Sequence, residues 1–128
     1  MENIEFNLPK VTAFLSCGNI QQDVLTKNYD LRGIFQGFSP PGYPFGAEFI
    51  TFSRLFHEGK GEFQIDTSIF TEKGEKISDS MARKLVFGDT AQHDLITAWR
   101  VLFPTAGTYV FKVFCNNLNL GEYKIFCR

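Results

Sequence analysis

Two histidines are the residues of this chain with the clearest potential for acid–base or metal chemistry. Each precedes a carboxylate, as His57-Glu58 and His93-Asp94. A metal site or an acid–base pair needs several such groups within a few ångströms of one another. Neighbours along a strand point to opposite faces, so neither dipeptide forms a pair by itself. The sequence therefore predicts solvated histidines of loops or strand ends, with no metal site and no catalytic residue.

The three cysteines, Cys17, Cys115 and Cys127, are the possible nucleophiles. A reactive thiol needs a base, a basic cluster or a helix N-terminus beside it, and the sequence shows none. We interpret them as small buried hydrophobic residues. An odd number of cysteines is more typical of a reducing compartment than of a disulfide framework, so we expect a cytoplasmic protein. No glycine-rich phosphate loop opens a helix, so no cofactor is expected.

The best candidate for a binding site is the aromatic and proline-rich loop SPPGYPFG, which runs from Ser39 to Gly46. Three prolines and two glycines in eight residues exclude regular structure and hold the backbone rigid. Rigid aromatic rings lose little conformational entropy on contact, so they suit a partner protein or a sugar ring. The predicted binding residues are Phe38, Tyr43 and Phe45. The alternative is that these rings close one end of the hydrophobic core.

Composition limits the fold class and the partners. The chain has 128 residues, of which 44% are hydrophobic, with 15 phenylalanines, so we expect one domain with its own core. Thirteen basic and fourteen acidic residues leave a net charge of −1, which gives no long-range attraction to nucleic acid or anionic membranes. No apolar run approaches the length of about 18 residues that a membrane span needs. The first ten residues, MENIEFNLPK, do not have the pattern of a signal peptide.

The elements that position these residues are strands. From Tyr109 to Cys115 the side chains alternate between two faces, and β-branched and aromatic residues dominate. The pair Asn116-Asn117 favours a two-residue hairpin turn, which sets Cys115 opposite the first residue after the turn and Val113 opposite Leu120. A change of apolar parity after Gly121 predicts a bulge there.

The same alternation of side chains between two faces recurs along the chain. We predict about eight strands, over residues 11–17, 29–38, 47–56, 62–71, 83–87, 93–103, 109–115 and 118–127. Residues 1–9 are expected to form a loose N-terminal arm, residues 18–27 a loop, and the strand 47–56 the centre of a sheet. Short strands at regular intervals favour an all-β, antiparallel sandwich over βαβ units.

A further set of short motifs carries a family resemblance: Tyr43-Pro44-Phe45, Phe49, Ser53-Arg54-Leu55, Gly61-Glu62, Lys73-Gly74-Glu75, Phe103-Pro104, Gly107-Thr108-Tyr109-Val110-Phe111 and Leu120-Gly121-Glu122. With this pattern over residues 11–127, the chain resembles a family of small bacterial single-domain β-sandwich proteins of unknown function. The resemblance implies an immunoglobulin-like fold and brings no catalytic residues. Tyr109, which follows a Pro-containing corner, is similar to the tyrosine corner of such sandwiches, where the hydroxyl bonds back to upstream backbone.

Two non-enzymatic functions fit these observations. The first is a binding or assembly module, either a homo-oligomer or a module with a protein partner, which acts through a sheet face or the Ser39–Gly46 loop. The alternative is a small-ligand or carbohydrate-binding module, which requires an apolar cleft lined by Tyr43, Phe45 or Trp99.

Overall fold

The computed structural model of the protein describes residues 8–128. They form eleven strands in chain order: β1 (Lys10–Cys17), β2 (Asn19–Gln22), β3 (Tyr29–Arg32), β4 (Gly37–Phe38), β5 (Phe45–Phe56), β6 (Gly61–Thr71), β7 (Lys76–Asp79), β8 (Arg83–Phe87), β9 (Gln92–Phe103), β10 (Gly107–Cys115) and β11 (Leu118–Cys127). The predicted all-β class is confirmed.

The long strands form two sheets that enclose the core. The three-stranded sheet has the order β1-β5-β9, and the six-stranded sheet has the order β4-β11-β10-β6-β7, with β8 also paired to β6. All pairings between these strands are antiparallel except the short one between β11 and β4. Strands β2 and β3 form a separate hairpin. The predicted central position of residues 47–56 is confirmed, since β5 lies between β1 and β9.

Aromatic side chains from both sheets meet in the middle of the core. Phe49 of β5, Trp99 of β9 and Phe111 of β10 lie with ring centroids 5.8–6.4 Å apart. The buried indole N–H of Trp99 donates a 2.8 Å hydrogen bond to the Oγ1 of Thr51, so its polar atom is satisfied inside the core. These contacts explain how a chain with 15 phenylalanines folds without disulfides.

Tyr109 forms the corner that the sequence predicts. Its side chain is 2% exposed, and its hydroxyl donates a 2.6 Å hydrogen bond to the carbonyl oxygen of Thr105. The Thr105 N–H also donates to the same hydroxyl, at 3.3 Å. The tyrosine thereby ties the loop after β9 to the start of β10, as in immunoglobulin-like sandwiches.

The hairpin of β10 and β11 turns at Asn116 and Asn117, whose φ angles of 49° and 71° are those of a left-handed turn. Cys115 pairs with Leu118, as predicted. The predicted pairing of Val113 with Leu120 is wrong, because Val113 pairs with Gly121. A register shift lies between Val113 and Phe114 and leaves Leu120 as the extra residue, so the bulge begins one residue before Gly121.

Other differences lie in the first third of the chain. The predicted strand over residues 29–38 is interrupted at Gly33, where φ is +66°, and the predicted loop 18–27 contains β2. The β2–β3 hairpin lies against the outer face of β5, where the rings of Tyr29 and Phe52 are 5.7 Å apart. A register shift between Val11 and Ala13 brings Phe14 to the core side, 6.5 Å from Phe111.

Residues 1–7 of the predicted N-terminal arm lie outside the described residues. Of its last two residues, Leu8 packs against the core and Pro9 is buried. From residue 8 onward, no helix has the length and apolar character that crossing a membrane requires.

Candidate functional site

The loop from Ser39 to Gly46 closes one end of the core. The prediction that it contains no regular structure is wrong for its last two residues, Phe45 and Gly46, which begin β5. Phe38 lies 4.7 Å from Phe35, 5.4 Å from Phe45 and 5.8 Å from Phe103, measured between ring centroids. Such a set of tilted ring contacts is typical of a packed aromatic cluster. Phe38 and Phe45 are therefore structural residues of the core end, whatever further contacts they make.

Tyr43 is held in the same place by a polar bond. Its hydroxyl donates a 3.0 Å hydrogen bond to the carbonyl oxygen of Arg128, and its ring packs against the core cluster. Desolvation raises the pKa of the Tyr43 phenol above its usual value. All three predicted binding residues are brought together, and each is partly buried. Their role as a binding site remains a prediction.

The two histidines converge on one phenylalanine. The Phe87 ring centroid lies 5.4 Å from His57 and 4.8 Å from His93. The Nδ1 of His57 lies 3.1 Å from the Gly59 carbonyl oxygen, and the Nε2 of His93 lies 2.6 Å from that of Val86. Within residues 8–128, no three His, Cys, Asp or Glu side chains are grouped as a metal ion would require. Both rings therefore act as packing and hydrogen-bonding groups. The predicted solvated position is wrong for His57, which is 6% exposed because it packs against Phe63 and Phe87.

The three cysteines are buried and free, as predicted. Cys17, Cys115 and Cys127 have side chains between 0% and 3% exposed. Burial raises the pKa of each thiol, so the reactive thiolate form is disfavoured.

A row of outward-pointing backbone polar groups lies along the outer edge of β9. The pairing of β5 with β9 runs without a register shift from Phe45–Phe103 to Phe56–Gln92. In such a ladder, opposite residues alternate between hydrogen-bonded and non-bonded pairs. The His57 N–H donates to the Ala91 carbonyl oxygen at 2.9 Å, so the odd-numbered residues of β9 bond to β5.

The even-numbered residues of β9 therefore point away from β5. The guanidinium of Arg83 confirms this parity, since it donates a 2.8 Å hydrogen bond to the carbonyl oxygen of Ile96. Further along, no described residue makes a hydrogen bond to the outward N–H or C=O groups of Ala98, Arg100 or Leu102. This stretch, Ala98 to Leu102, is called the open edge below.

The opposite edge of the same sheet is covered near the end of β1. There, the Phe35 N–H donates to the carbonyl oxygen of Ser16 at 3.0 Å, and the Gly18 N–H donates to that of Arg32 at 3.0 Å. The segment that follows the β2–β3 hairpin thus covers the edge of β1 at Ser16, whereas the Gly18 bond extends the ladder of the hairpin itself. In the six-stranded sheet, β11 is interrupted by the bulge and carries Glu122 and Lys124, which are features that discourage edge pairing.

A groove of about 590 Å³ lies on the outer face of the three-stranded sheet, beside the open edge. Ile50 and Ala98 line it, together with Glu48 and Arg100, which form a 2.9 Å ion pair. Leu102 follows on the same face and is 61% exposed. This surface offers apolar contacts, one neutralised ion pair and unpaired backbone groups, which are the parts that an added strand requires.

The sequence predicts this strand but not its open edge. The twelve residues QHDLITAWRVLF of β9 contain no Pro and no Lys, two residues that commonly protect sheet edges. That absence is the sequence feature that indicates an unprotected edge. It could not be used from the sequence alone, because strand order is set by contacts between distant segments.

No protein-family model matches the chain, and no curated protein matches its sequence. Among solved structures, it is similar to the alkylpurine DNA glycosylase AlkC of Pseudomonas fluorescens, bound to DNA with an abasic-site analogue. The TM-score is 0.62 and the identity 12%, over 94% of this chain and 30% of that chain. The chain therefore spans less than a third of that enzyme, and a likeness at this identity describes the fold alone.

Two further structures are similar. An immunoglobulin-like protein from Pseudomonas aeruginosa has a TM-score of 0.49 and 12% identity, over 94% of this chain and 97% of that chain. A glycosyl hydrolase family 2 member from Bacteroides cellulosilyticus has a TM-score of 0.48 and 16% identity, over 67% of this chain and 13% of that chain. No family is established, so the resemblance to a family of small bacterial single-domain β-sandwich proteins stays a prediction. The sheet order and the tyrosine corner make the chain an all-β, immunoglobulin-like sandwich.

Proposed function

We propose that this chain is a non-enzymatic interaction module that binds protein through the open edge of β9 and the groove beside it. The observation that carries the proposal is the set of outward N–H and C=O groups at Ala98, Arg100 and Leu102, which no described residue uses. A continuous strand of this kind is a template for pairing with another chain.

The physical basis is strand addition. Main-chain hydrogen bonds supply affinity, and side chains on alternate residues of the added strand supply specificity by entering adjacent pockets. Each new bond contributes about 0.5–1.5 kcal/mol net. On the outer face, an added strand places alternate side chains next to Leu102 and Ala98, where apolar contact adds to the affinity.

A module role is also supported by size. A fold that superposes on 94% of this chain makes up 30% of a longer enzyme, so folds of this kind are used as parts of larger proteins. The activity of that enzyme is not transferred to this chain. The Ser39–Gly46 loop, in this proposal, supports the surface by closing the core rather than by binding.

The alternative, a small-ligand or carbohydrate-binding module, requires aromatic faces that are open to a ligand. Trp99 borders the groove but is only 5% exposed, and its indole N–H is bonded inside the core. Tyr43 and Phe45 pack against the core at a different place. The proposal therefore favours a protein partner.

The test is an NMR titration of the ¹⁵N-labelled protein with eight-residue peptides of alternating valine and threonine. We expect amide shifts centred on Ala98, Arg100 and Leu102. An Ala98→Pro variant removes an outward N–H that no described residue uses, so it should weaken peptide binding and leave the fold intact. Ala98→Ser keeps the N–H and is the matched control.

A panel of neutral oligosaccharides tests the alternative in the same experiment. Shifts confined to Tyr43 and Phe45 on sugar addition would favour the carbohydrate module. The proposal is refuted if the three edge amides keep their shifts at every concentration of peptide and of the protein itself.

A further inference from the structure

We infer that the partner at the open edge is β9 of a second copy of this chain, paired antiparallel, so that two three-stranded sheets join into one sheet of six strands. The inference rests on the proposed function, because it uses the same edge and names its occupant.

Charge favours a second copy over a strongly charged partner. The chain carries a net charge of −1, so two copies do not repel each other over long distances. Between Ala98 and Leu102, Arg100 is already paired with Glu48 at 2.9 Å, so this stretch offers no unbalanced charge to an acidic or basic peptide, and the Arg83 guanidinium lies beyond it, at Ile96. A second copy can therefore pair with this stretch without a surface of opposite charge.

A two-fold arrangement restricts the register. Hydrogen-bonded pairs across the interface must join residues whose N–H and C=O groups point outward, and these are the even-numbered residues of β9. One such register sets Arg100 opposite Arg100 of the second copy, and like charges directly opposite each other are destabilising. The next register sets Arg100 opposite Ala98 of the second copy, and Leu102 opposite Ile96.

The second register gives better apolar contacts and keeps the backbone hydrogen bonds possible. It places the 61% exposed side chain of Leu102 beside an isoleucine, so that apolar surface is removed from water on both copies. The carbonyl oxygen of Ile96 already accepts a bond from Arg83, but a carbonyl has two lone pairs and can accept a second bond. The inference therefore selects the pairs Ala98–Arg100 and Ile96–Leu102, each occurring twice.

A contact between two strand edges is small. Stable interfaces bury about 1,200–2,000 Å² in total, and a pairing of a few residues lies at or below the low end of that range. We therefore expect a dimer that forms and dissociates with concentration.

The first test is sedimentation equilibrium over a range from about 1 to 500 µM, which spans weak affinities. The wild-type mass should rise from 14.6 kDa towards twice that value. Leu102→Lys should weaken the association at least tenfold, because it adds a charge at the interface. Leu118→Lys is the matched control, since Leu118 is 49% exposed on a different strand, and it should dimerise as the wild type does.

The second test fixes the register by oxidation of introduced cysteines. In the double variant Ala98→Cys/Arg100→Cys, the two positions form a hydrogen-bonded pair across the interface, with Cα atoms about 5.5 Å apart, which suits a disulfide. The variant should give a covalent dimer, and Arg100→Cys alone should not. The native cysteines are buried and do not compete.

The outcomes separate this inference from the proposed function. A wild-type protein that stays monomeric at every concentration, or a covalent dimer from Arg100→Cys alone, overturns the inference. If valine–threonine peptides still shift the edge amides of a monomeric protein, the proposed function stands and the self-association fails. If neither peptide nor a second copy binds, both fail.

Discussion

The loop from Ser39 to Gly46 and the open edge of β9 lie in adjacent parts of the molecule and differ in how their polar and apolar groups are used. At the loop, Phe38, the residue of β4 that precedes it, contacts several rings, and the Tyr43 hydroxyl bonds to a backbone carbonyl. At the edge, backbone groups of three consecutive outward residues have no hydrogen bond from the described chain. The loop has the residue types that are typical of a binding site. The edge has backbone N–H and C=O groups without partners, which a binding site also needs.

Residue type alone is therefore a weak guide to a binding surface in a small sandwich. Aromatic rings beside prolines are suited both to recognition and to closing a core, and only the packing distinguishes the two roles. Unpaired backbone groups on a long, regular strand have fewer alternative explanations, because proteins usually protect them.

Hydrogen exchange should show the open edge directly. At low protein concentration, the amides of Trp99 and Val101, which bond to β5, should exchange about a thousandfold more slowly than those of Ala98, Arg100 and Leu102. NMR-detected exchange in deuterated water measures each amide. Equal protection along β9 would show that the edge is covered. At high concentration, the inferred dimer should slow exchange at the outward residues only.

The sequence predicts the layered β fold well, because period-two patterns, the Asn116-Asn117 turn and the Tyr109 corner are local signals. It does not predict that residues 29–38 break at Gly33, since the outer-face contact of Tyr29 with Phe52 joins distant segments. The open edge is hidden for the same reason. Strand order depends on long-range pairing, and the residues of an edge strand look like those of any half-buried strand.

Replacement of Phe38 by Ala should destabilise the fold by about 3 kcal/mol, because it removes a ring that packs against several others. Leu102→Ala is the matched change at the open edge. Since Leu102 is 61% exposed, its loss should alter the free energy of unfolding of the monomer by less than about 0.5 kcal/mol. Urea denaturation at low protein concentration measures both. A reversed order would mean that the loop, and not the edge, is the free surface.

The two tyrosines that hold loops in place should also differ. Tyr109→Phe removes a 2.6 Å hydrogen bond at a side chain that is 2% exposed and leaves the Thr105 carbonyl oxygen without that partner. The expected cost is about 1–2 kcal/mol, since a polar group is left unsatisfied near the core. Tyr43→Phe removes the bond to Arg128 at a more accessible place, and its effect should be smaller. Thermal unfolding of both variants, with the wild type as reference, checks the order.

The smallest effect concerns two ion pairs on the same face of β5 and β9. Arg54 and Asp94 lie towards the covered end of β9 and form two hydrogen bonds, of 2.8 Å and 3.2 Å. Asp94 is 14% exposed, and the Arg54 guanidinium lies 5.4 Å from the Phe52 ring centroid, so the pair is partly shielded from water. Arg100 and Glu48, beside the open edge, are 86% and 70% exposed.

Exposed pairs are screened by solvent and salt, whereas shielded bidentate pairs keep more of their attraction. Double-mutant cycles to alanine should therefore give a coupling energy of about 1 kcal/mol for Arg54 with Asp94 and no measurable coupling for Arg100 with Glu48 in the monomer. The Asp94 carboxylate also raises the pKa of Arg54 through its hydrogen bonds, which agrees with a closer pair. If the outer pair couples as strongly as the inner one at low protein concentration, that end of β9 is less exposed than its backbone geometry indicates. Coupling that appears for Arg100 and Glu48 only when protein concentration rises would instead locate the second copy at this edge, because an added strand removes water from the pair.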